Sequence, residues 1–421
     1  MGKWQRRSFL ATGAALSIGV GLVSSGAGDV DADDGDGPSD VNASLDTDLP
    51  DPTRQPNATM NEDWASYRGD AGQTRCIADG HDFDGEALAP VWSADHDGSV
   101  AVADDTVYTS TADGVVALDA GDGAIVWENT DVLAHDPAVA DDVVCLTTDE
   151  GVVALDRSDG GVRWEASFDP ADSVTRHTVA YDAAFVVVDG TLYALEVDDG
   201  SIRWERESVT LESPASPDGT FEFARAPAAA NGVVYAATPR TVLALEPEAG
   251  NEVWRNEEVY QDVESPIHAN ASAVVVDWWS DIDLGVHDAQ TGEVNGLITL
   301  ETDHEVSIDQ DVYTTGDAFN LYGGSLEECE NEWEVPCAHN AGQAVICGET
   351  IYVYFGRAEG DWGEYDEELV ALNKDDGTEK WAISTDDAPV GYVRAISGDT
   401  LYVDHDGELV AFREGVPEDG C

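Results

Sequence analysis

One phrase recurs along this chain and limits what it can fold into. It runs Gly114-Val-Val-Ala-Leu-Asp119, Gly121-Asp-Gly123, Trp127, and returns as Gly151-Val-Val-Ala-Leu-Asp156, Asp159-Gly160, Trp164. Each copy is preceded by a shorter run, Ala101-Val-Ala-Asp-Asp-Thr-Val-Tyr108 in the first and Ala138-Val-Ala-Asp-Asp-Val-Val144 in the second. A third copy holds Gly190-Thr-Leu-Tyr-Ala-Leu-Glu196 and Trp204, and a fourth Leu243-Ala-Leu-Glu246 and Trp254. Two weaker copies follow, around Val286-His-Asp-Ala-Gln-Thr-Gly292 and from Val306 to Trp333. The phrase then recovers in Leu369-Val-Ala-Leu-Asn373 with Trp381, and again in Gly407-Glu-Leu-Val-Ala-Phe412.

Alternating β-branched and aromatic runs, separated by Asp-Asp, Asn-Gly or Asp-Gly turns, specify four-stranded antiparallel meanders. A period of about 37 to 50 residues matches propeller blades and exceeds leucine-rich units. The last copy stops after three strands and lacks its Trp, while Pro90-Val-Trp92 stands ahead of the first copy with no strands before it. Residues 88–95 are therefore expected to supply the missing outer strand and leave the ring no open edge. The reading is all-β: an eight-bladed propeller over residues 63–421, closed by an N-terminal strand. Seven blades is the alternative, because copies five and six are degraded.

Charge is the second constraint. Eighty-seven acidic residues face 19 basic ones, for a net charge of -68, and lysine occurs only at Lys3, Lys374 and Lys380. Such a surface repels itself at ordinary ionic strength and is shielded at molar salt, where the Debye length is about 3 Å. The acid is spread through every repeat, which reads as adaptation to concentrated salt and excludes nucleic acid as a partner. Residues 1–27 read as an export signal: Arg6-Arg7-Ser8-Phe9-Leu10, an apolar stretch from Ala11 to Val23, then Ser25-Gly26-Ala27. The pattern resembles a twin-arginine signal, which carries folded proteins. Nothing later reaches the ~18 apolar residues of a spanning helix, so membrane contact would come only from an uncleaved signal. Residues 28–62, rich in Asp and Pro, read as an acidic flexible linker. Sequons occur at Asn42, Asn57 and Asn270.

The core Val-Val-Ala-Leu-Asp-x-x-x-Gly-x-x-x-Trp, at 115–127 and 152–164, resembles the PQQ-like β-propeller repeat family. That family includes quinoprotein dehydrogenases and assembly scaffolds of the BamB type. The opening Trp64-Ala-Ser-Tyr-Arg-Gly-Asp70 resembles the start of secreted members, and with the acidic surface suggests a haloarchaeal type. The catalytic branch carries adjacent cysteines beside the quinone and ligands for calcium. This chain has no Cys-Cys pair, and no Gly-x-Ser-x-Gly elbow, phosphate loop or His-Glu-x-x-His motif. The sequence thus favours a noncatalytic scaffold, exported to the cell surface or beyond, without PQQ or calcium. Its expected partner is an envelope or extracellular protein, or a glycan. A PQQ-dependent dehydrogenase or a glycan-binding surface protein is the alternative.

Three sets of residues stand outside the repeat. His135, His177, His304 and His339 fall at or just before innermost strands, as do Arg225 and Arg394, with His96 and His268 near equivalent points. Together they suggest an anion or carboxylate site at one channel mouth, or a metal site if three imidazoles converge, with a charge switch near pH 6. The alternative is that each caps a neighbouring carboxylate. Insertions expected at 208–224, 277–285, 323–338 and 356–367 carry Trp278, Trp279, Trp333 and Trp362, read as surface recognition residues. Among six cysteines, Cys329–Cys337 and Cys76–Cys421 are the expected disulfides, with Cys145 and Cys347 as buried thiols.

Overall fold

Each repeat becomes one four-stranded antiparallel blade, eight along the described chain, and the seventh gains Cys76–Ile77 as a fifth strand, parallel to its innermost strand. The coordinates are a computed structural model. It describes residues 49–56, 64–96, 98–168, 173–213, 216–257, 266–277, 283–299, 306–316, 319–337, 344–357 and 363–415. Blades one to seven are built in chain order, with innermost strands beginning at Val100, His135, Thr178, Ala228, His268, Val306 and Val345. Blade eight takes three strands from residues 392–414 and its fourth from Leu88–Asp95, antiparallel from Leu88 opposite Glu414 to Asp95 opposite Glu408. Pro90, which has no N–H to give a ladder, sits at the irregularity between Pro90 and Trp92. The N-terminal closing strand is the one the sequence indicated.

The repeated Asp, Gly and Trp have separate physical jobs. Asp119 accepts the N–H of Gly121 through its carboxylate, at 2.8 Å, and closes a turn that ends in Gly123 at φ 73°. The outer-strand Trp of the preceding blade lies on that glycine: a Cβ on Gly160 would come within 2.5 Å of the Trp127 ring. The same indole donates its N–H to the Arg157 carbonyl at 2.8 Å. Equivalent indole bonds run from Trp92 to Ala120, Trp164 to Val197, Trp204 to Pro247, Trp254 to Ala289, Trp333 to Lys374 and Trp381 to Phe83. Blade joins to blade through a flat apolar plate with one polar anchor.

Blades five and six look degraded because this pair is inverted between them. Gly296 occupies the Trp position, opposite Val286, and Cys329 occupies the Gly position with φ 53°. A Cβ on Gly296 would lie 2.7 Å from Cys329 Sγ, so the large and small partners have exchanged sides of the interface. Trp333 is one of the docking tryptophans, lying over Gly377. The segment 323–338 is accordingly no insertion, since Asn320–Ser325 and Glu330–Pro336 are regular strands of blade six. The insertion at 208–224 contains a real hairpin, Val209–Ser213 with Ser216–Phe221. Trp278, Trp279 and Trp362 lie outside the described residues.

The disulfide expectation is overturned. No pair of described cysteines stands at bonding distance, and Cys76, Cys145, Cys329 and Cys347 are free thiols. Cys329 and Cys337 flank a seven-residue strand, not a loop. At about 3.3 Å per residue such a strand holds its ends roughly 20 Å apart. Cys76 points at the Asp309 carboxylate, 3.6 Å away, beside blade seven, and Cys421 lies outside the described residues. Cys145 and Cys347 are buried thiols, pushed up to about 12 by burial.

Candidate functional site: an arginine-walled cavity inside the ring

The opening segment Trp64–Ile77 lies within the ring. Its carbonyls accept N–H groups from the far ends of successive innermost strands: Val102 to Trp64, Val139 to Ala65, Ala229 to Ala71, Ala269 to Gly72, Ile308 to Thr74 and Ile346 to Arg75, all between 2.7 and 3.1 Å. Gln73 bonds Thr178 and the Pro227 carbonyl, which adds blade three. Arg75 donates to the carbonyls of Ala344 and Val393, which adds blade eight. One short segment thereby contacts all eight blades and floors one end of the channel. Residues 49–56, inside the stretch read as a flexible linker, lie against the same end. Pro56 accepts the Tyr181 N–H, and Arg54 stacks over the Tyr181 ring at 4.7 Å.

The floor's long side chains reach the other way, toward the strand starts. Arg68 donates to the Val306 carbonyl at 2.8 Å, and Arg75 to that of Ala344 at 3.0 Å. Above them lies a cavity of about 130 Å³, lined by Tyr67, Arg68, Arg75, Ser99, Val100, Arg176 and Arg394. Arg176 stands over the Tyr67 ring at 5.2 Å and pairs with Asp136 at 3.2 Å. Ser99 donates to the other Asp136 oxygen at 2.7 Å, and Arg394 pairs with Asp404 at 2.6 Å. Arg394 Nε is buried without a hydrogen-bond partner. Larger surface clefts exist, one of about 550 Å³ between blades eight and one, but Asp95, Asp113 and Glu128 line it and no set of donors converges there.

Of the residues singled out from sequence, Arg394 lines this cavity and His177 stands close to it. His177 is fully buried, with Nδ1 on Thr147 Oγ1 at 2.9 Å. Burial pushes its pKa down to about 4, against the opposing pull of Asp136. His268 is held down to about 3 by burial and by Arg68 and Arg75, with Nδ1 on the Gln73 carbonyl. Both are neutral at pH 6, so these two do not provide a switch there. His96 is buried on Thr109, 3.9 Å from Asp404. His135 is exposed: the bulge between His135 and Ala138 puts Asp136 at φ 54° and turns that carboxylate inward instead. Arg225 is half-buried ahead of blade four and is not among the cavity's lining residues. His304 and His339 lie outside the described residues, and among the described residues no three His, Cys, Asp or Glu gather as a metal site.

Sequence reasoning missed Arg68, Arg75, Arg176 and Asp136. Arg176, one position before His177, carried the same positional signal. Of the three sequons, Asn42 and Asn57 lie outside the described residues, while Asn270 donates its amide nitrogen to the Asp309 carbonyl at 2.5 Å and ties blade five to blade six.

Comparison with known proteins agrees with this architecture. A family model described as outer membrane protein assembly factor BamB matches residues 82–295. BamB from Moraxella catarrhalis is 17% identical over 77% of this chain and 99% of its own, with a TM-score of 0.57. Quinohemoprotein alcohol dehydrogenase from Comamonas testosteroni is 13% identical over 86% of this chain and 82% of its own, with a TM-score of 0.61. At these identities the likeness is one of fold. No curated protein matches the chain.

Proposed function

The chain belongs to the family of the outer membrane protein assembly factor BamB, and from that premise we propose that it is an exported, noncatalytic scaffold that holds another envelope or extracellular protein. One observation carries this reading: the channel is floored at one end by residues 64–77 and walled with guanidiniums above that floor. Guanidiniums hold charge and donate hydrogen bonds but transfer no protons near neutrality. They suit recognition better than acid–base chemistry. A cavity of about 130 Å³ is also smaller than the roughly 300–1,000 Å³ pockets that bury larger organic ligands. In this reading the chain works without PQQ or calcium, and a cavity of this size is small for a tricyclic quinone. On the same reading residues 1–27 direct twin-arginine export, 28–62 link that signal to the ring with 49–56 laid against its floored end, and 63–421 bind, at a salt-adapted cell surface. Among the described residues no helix is long and apolar enough to cross a membrane.

The test is cross-linking mass spectrometry on tagged mature protein in its own cell envelope at native salt. The expected result is one recurrent protein linked to the loops that precede the innermost strands. Retention of glycan alone would favour the surface-lectin reading. Turnover of alcohols after addition of quinone and calcium would reverse the noncatalytic assignment.

A further inference from the structure

We propose that the groove between blades eight and one is the docking site for an extended protein segment that carries one large apolar side chain flanked by lysines or arginines. That an envelope protein supplies the segment rests on the scaffold reading; the groove stands on its own geometry. Closure of the ring by an N-terminal strand creates it. The outer strand of blade eight ends at Asp95 and the innermost strand of blade one begins at Val100, so residues 96–99 alone connect them. They read His-Asp-Gly-Ser and bring no large aliphatic side chain. The next shortest connection between described blades is residues 130–134.

The next three joins show what belongs in such a space. Val116 and Leu118 of blade one correspond to Val153 and Leu155 of blade two, Tyr193 and Leu195 of blade three, and Leu243 and Leu245 of blade four. In each of those blades the connecting segment lays an apolar side chain on the pair. Val132 packs on the cluster that holds Val153 and Leu155. Phe168 meets Tyr193 with ring centres 4.5 Å apart, and Leu211 shares a cluster with Leu243 and Leu245. In blade one the corresponding space is the cleft of about 550 Å³, with Ala94, Val116, Leu118 and Ile125 in its apolar wall. That volume suits a bound group of several heavy atoms. Ile125 is 63% exposed, more than any other large apolar side chain on a described outer strand. A segment with one apolar anchor therefore supplies from outside what the short connection does not. The rim sets the sign of its flanks: Asp95, Asp113 and Glu128 line the cleft, and no Lys or Arg does. At molar salt only charges in contact escape screening, so the anchor carries most of the affinity and the flanks exclude acidic segments.

The experiment is fluorescence anisotropy in about 1 M salt with three labelled peptides. They are Lys-Ala-Lys-Phe-Lys-Ala-Lys, the same peptide with Ala for Phe, and the same with Glu for every Lys. The first is expected to bind with a Kd of about 1 mM or tighter. Loss of the ring is expected to weaken it at least about tenfold, the factor for leaving one aromatic side chain in water. The acidic peptide is expected to bind about threefold more weakly or worse. On the protein, Ile125→Lys is expected to weaken the first peptide about tenfold by removing apolar wall and adding a like charge. Ile202→Lys, at the corresponding position of blade three, is expected to leave it unchanged. A first peptide that does not bind, an Ala peptide or an acidic peptide that binds as well, or equal effects of the two variants would each overturn the proposal. The peptide comparison uses the unaltered protein, so it decides even if the variants fail to fold. Peptides that fail, with a recurrent envelope cross-link unaffected by Ile125→Lys, remove the groove and leave the scaffold. Peptides that bind as expected, with no recurrent envelope protein, remove the scaffold and leave the groove.

Discussion

Gly72→Ala is expected to leave little folded protein. A Cβ at this position would sit 2.1 Å from the carbonyl oxygen of Ala269, a backbone atom of blade five's innermost strand. Neither side can yield cheaply. The same pair already holds the bond from the Ala269 N–H to the Gly72 carbonyl at 2.8 Å. The segment is also pinned on both sides by bonds to blades four and six. Overpacking of a tight site costs about 1–3 kcal/mol when side chains can shift; a clash between two backbones exceeds that range. Gly407→Ala is the control, with φ 85° but nothing within 4 Å of the added atom. Only backbone strain of about 1–2 kcal/mol is expected there. Denaturant melts of the two variants check the contrast, and similar midpoints would show that residue 72 has room the geometry denies it.

Removal of salt is the second large effect expected. The described cations are spent locally: Arg163 on Asp142 and Asp156, Arg203 on Glu196, Lys374 on Asp309 and Glu349. The excess of 68 negative charges is left for the solvent to screen. The fold brings carboxylates together, because its tight turns use Asp-Asp in left-handed backbone, with Asp104 and Asp105 at φ 48° and 59°. Two charges 10 Å apart in water repel by about 0.4 kcal/mol unscreened. Screening lengths of about 10 Å at 0.1 M and 3 Å at 1 M leave roughly a third of that in the first case and almost none in the second. Summed over the surface this amounts to several kcal/mol, or a melting temperature lower by about 10 °C or more at 0.1 M than at 2 M salt. Circular dichroism across a chloride series measures it; an unchanged melting temperature would remove salt adaptation from the account.

Much of the ring was legible in the sequence because its contacts repeat. Val-Val-Ala-Leu-Asp, the turn glycine and the docking Trp occur together, so the blades and the closing strand at 88–95 could be placed without coordinates. The join between blades five and six was obscure because Gly296 and Cys329 solve the same packing problem with the sizes exchanged. That exchange also misled the cysteine assignment, since Cys329 is a substitute for glycine and not half of a bridge. The floor was harder to read. Residues 64–77 occur once and are held mainly through their carbonyls, which every residue type provides, so no side-chain pattern marks them. The cavity was half legible. Arg394 and His177 stand at strand starts and could be found by position, whereas Arg68 and Arg75 arrive from a segment far away in sequence. His135 was chosen over Asp136 because a bulge reverses which of two neighbours faces inward.

The claim on which the binding account depends is that residues 64–77 are built into the ring as its floor. Hydrogen exchange followed by mass spectrometry tests it most directly. The N–H groups of Gln73 and Arg75 bond the Asp70 and Arg68 carbonyls inside the floor, while those of Val139, Ala229 and Ala269 bond the floor from the blades. The account predicts that peptides covering 64–77 exchange only as slowly as those covering the innermost strands, both through global unfolding. Exchange of 64–77 on the timescale of a surface loop, with the blades still protected, would contradict it and leave the channel open at both ends.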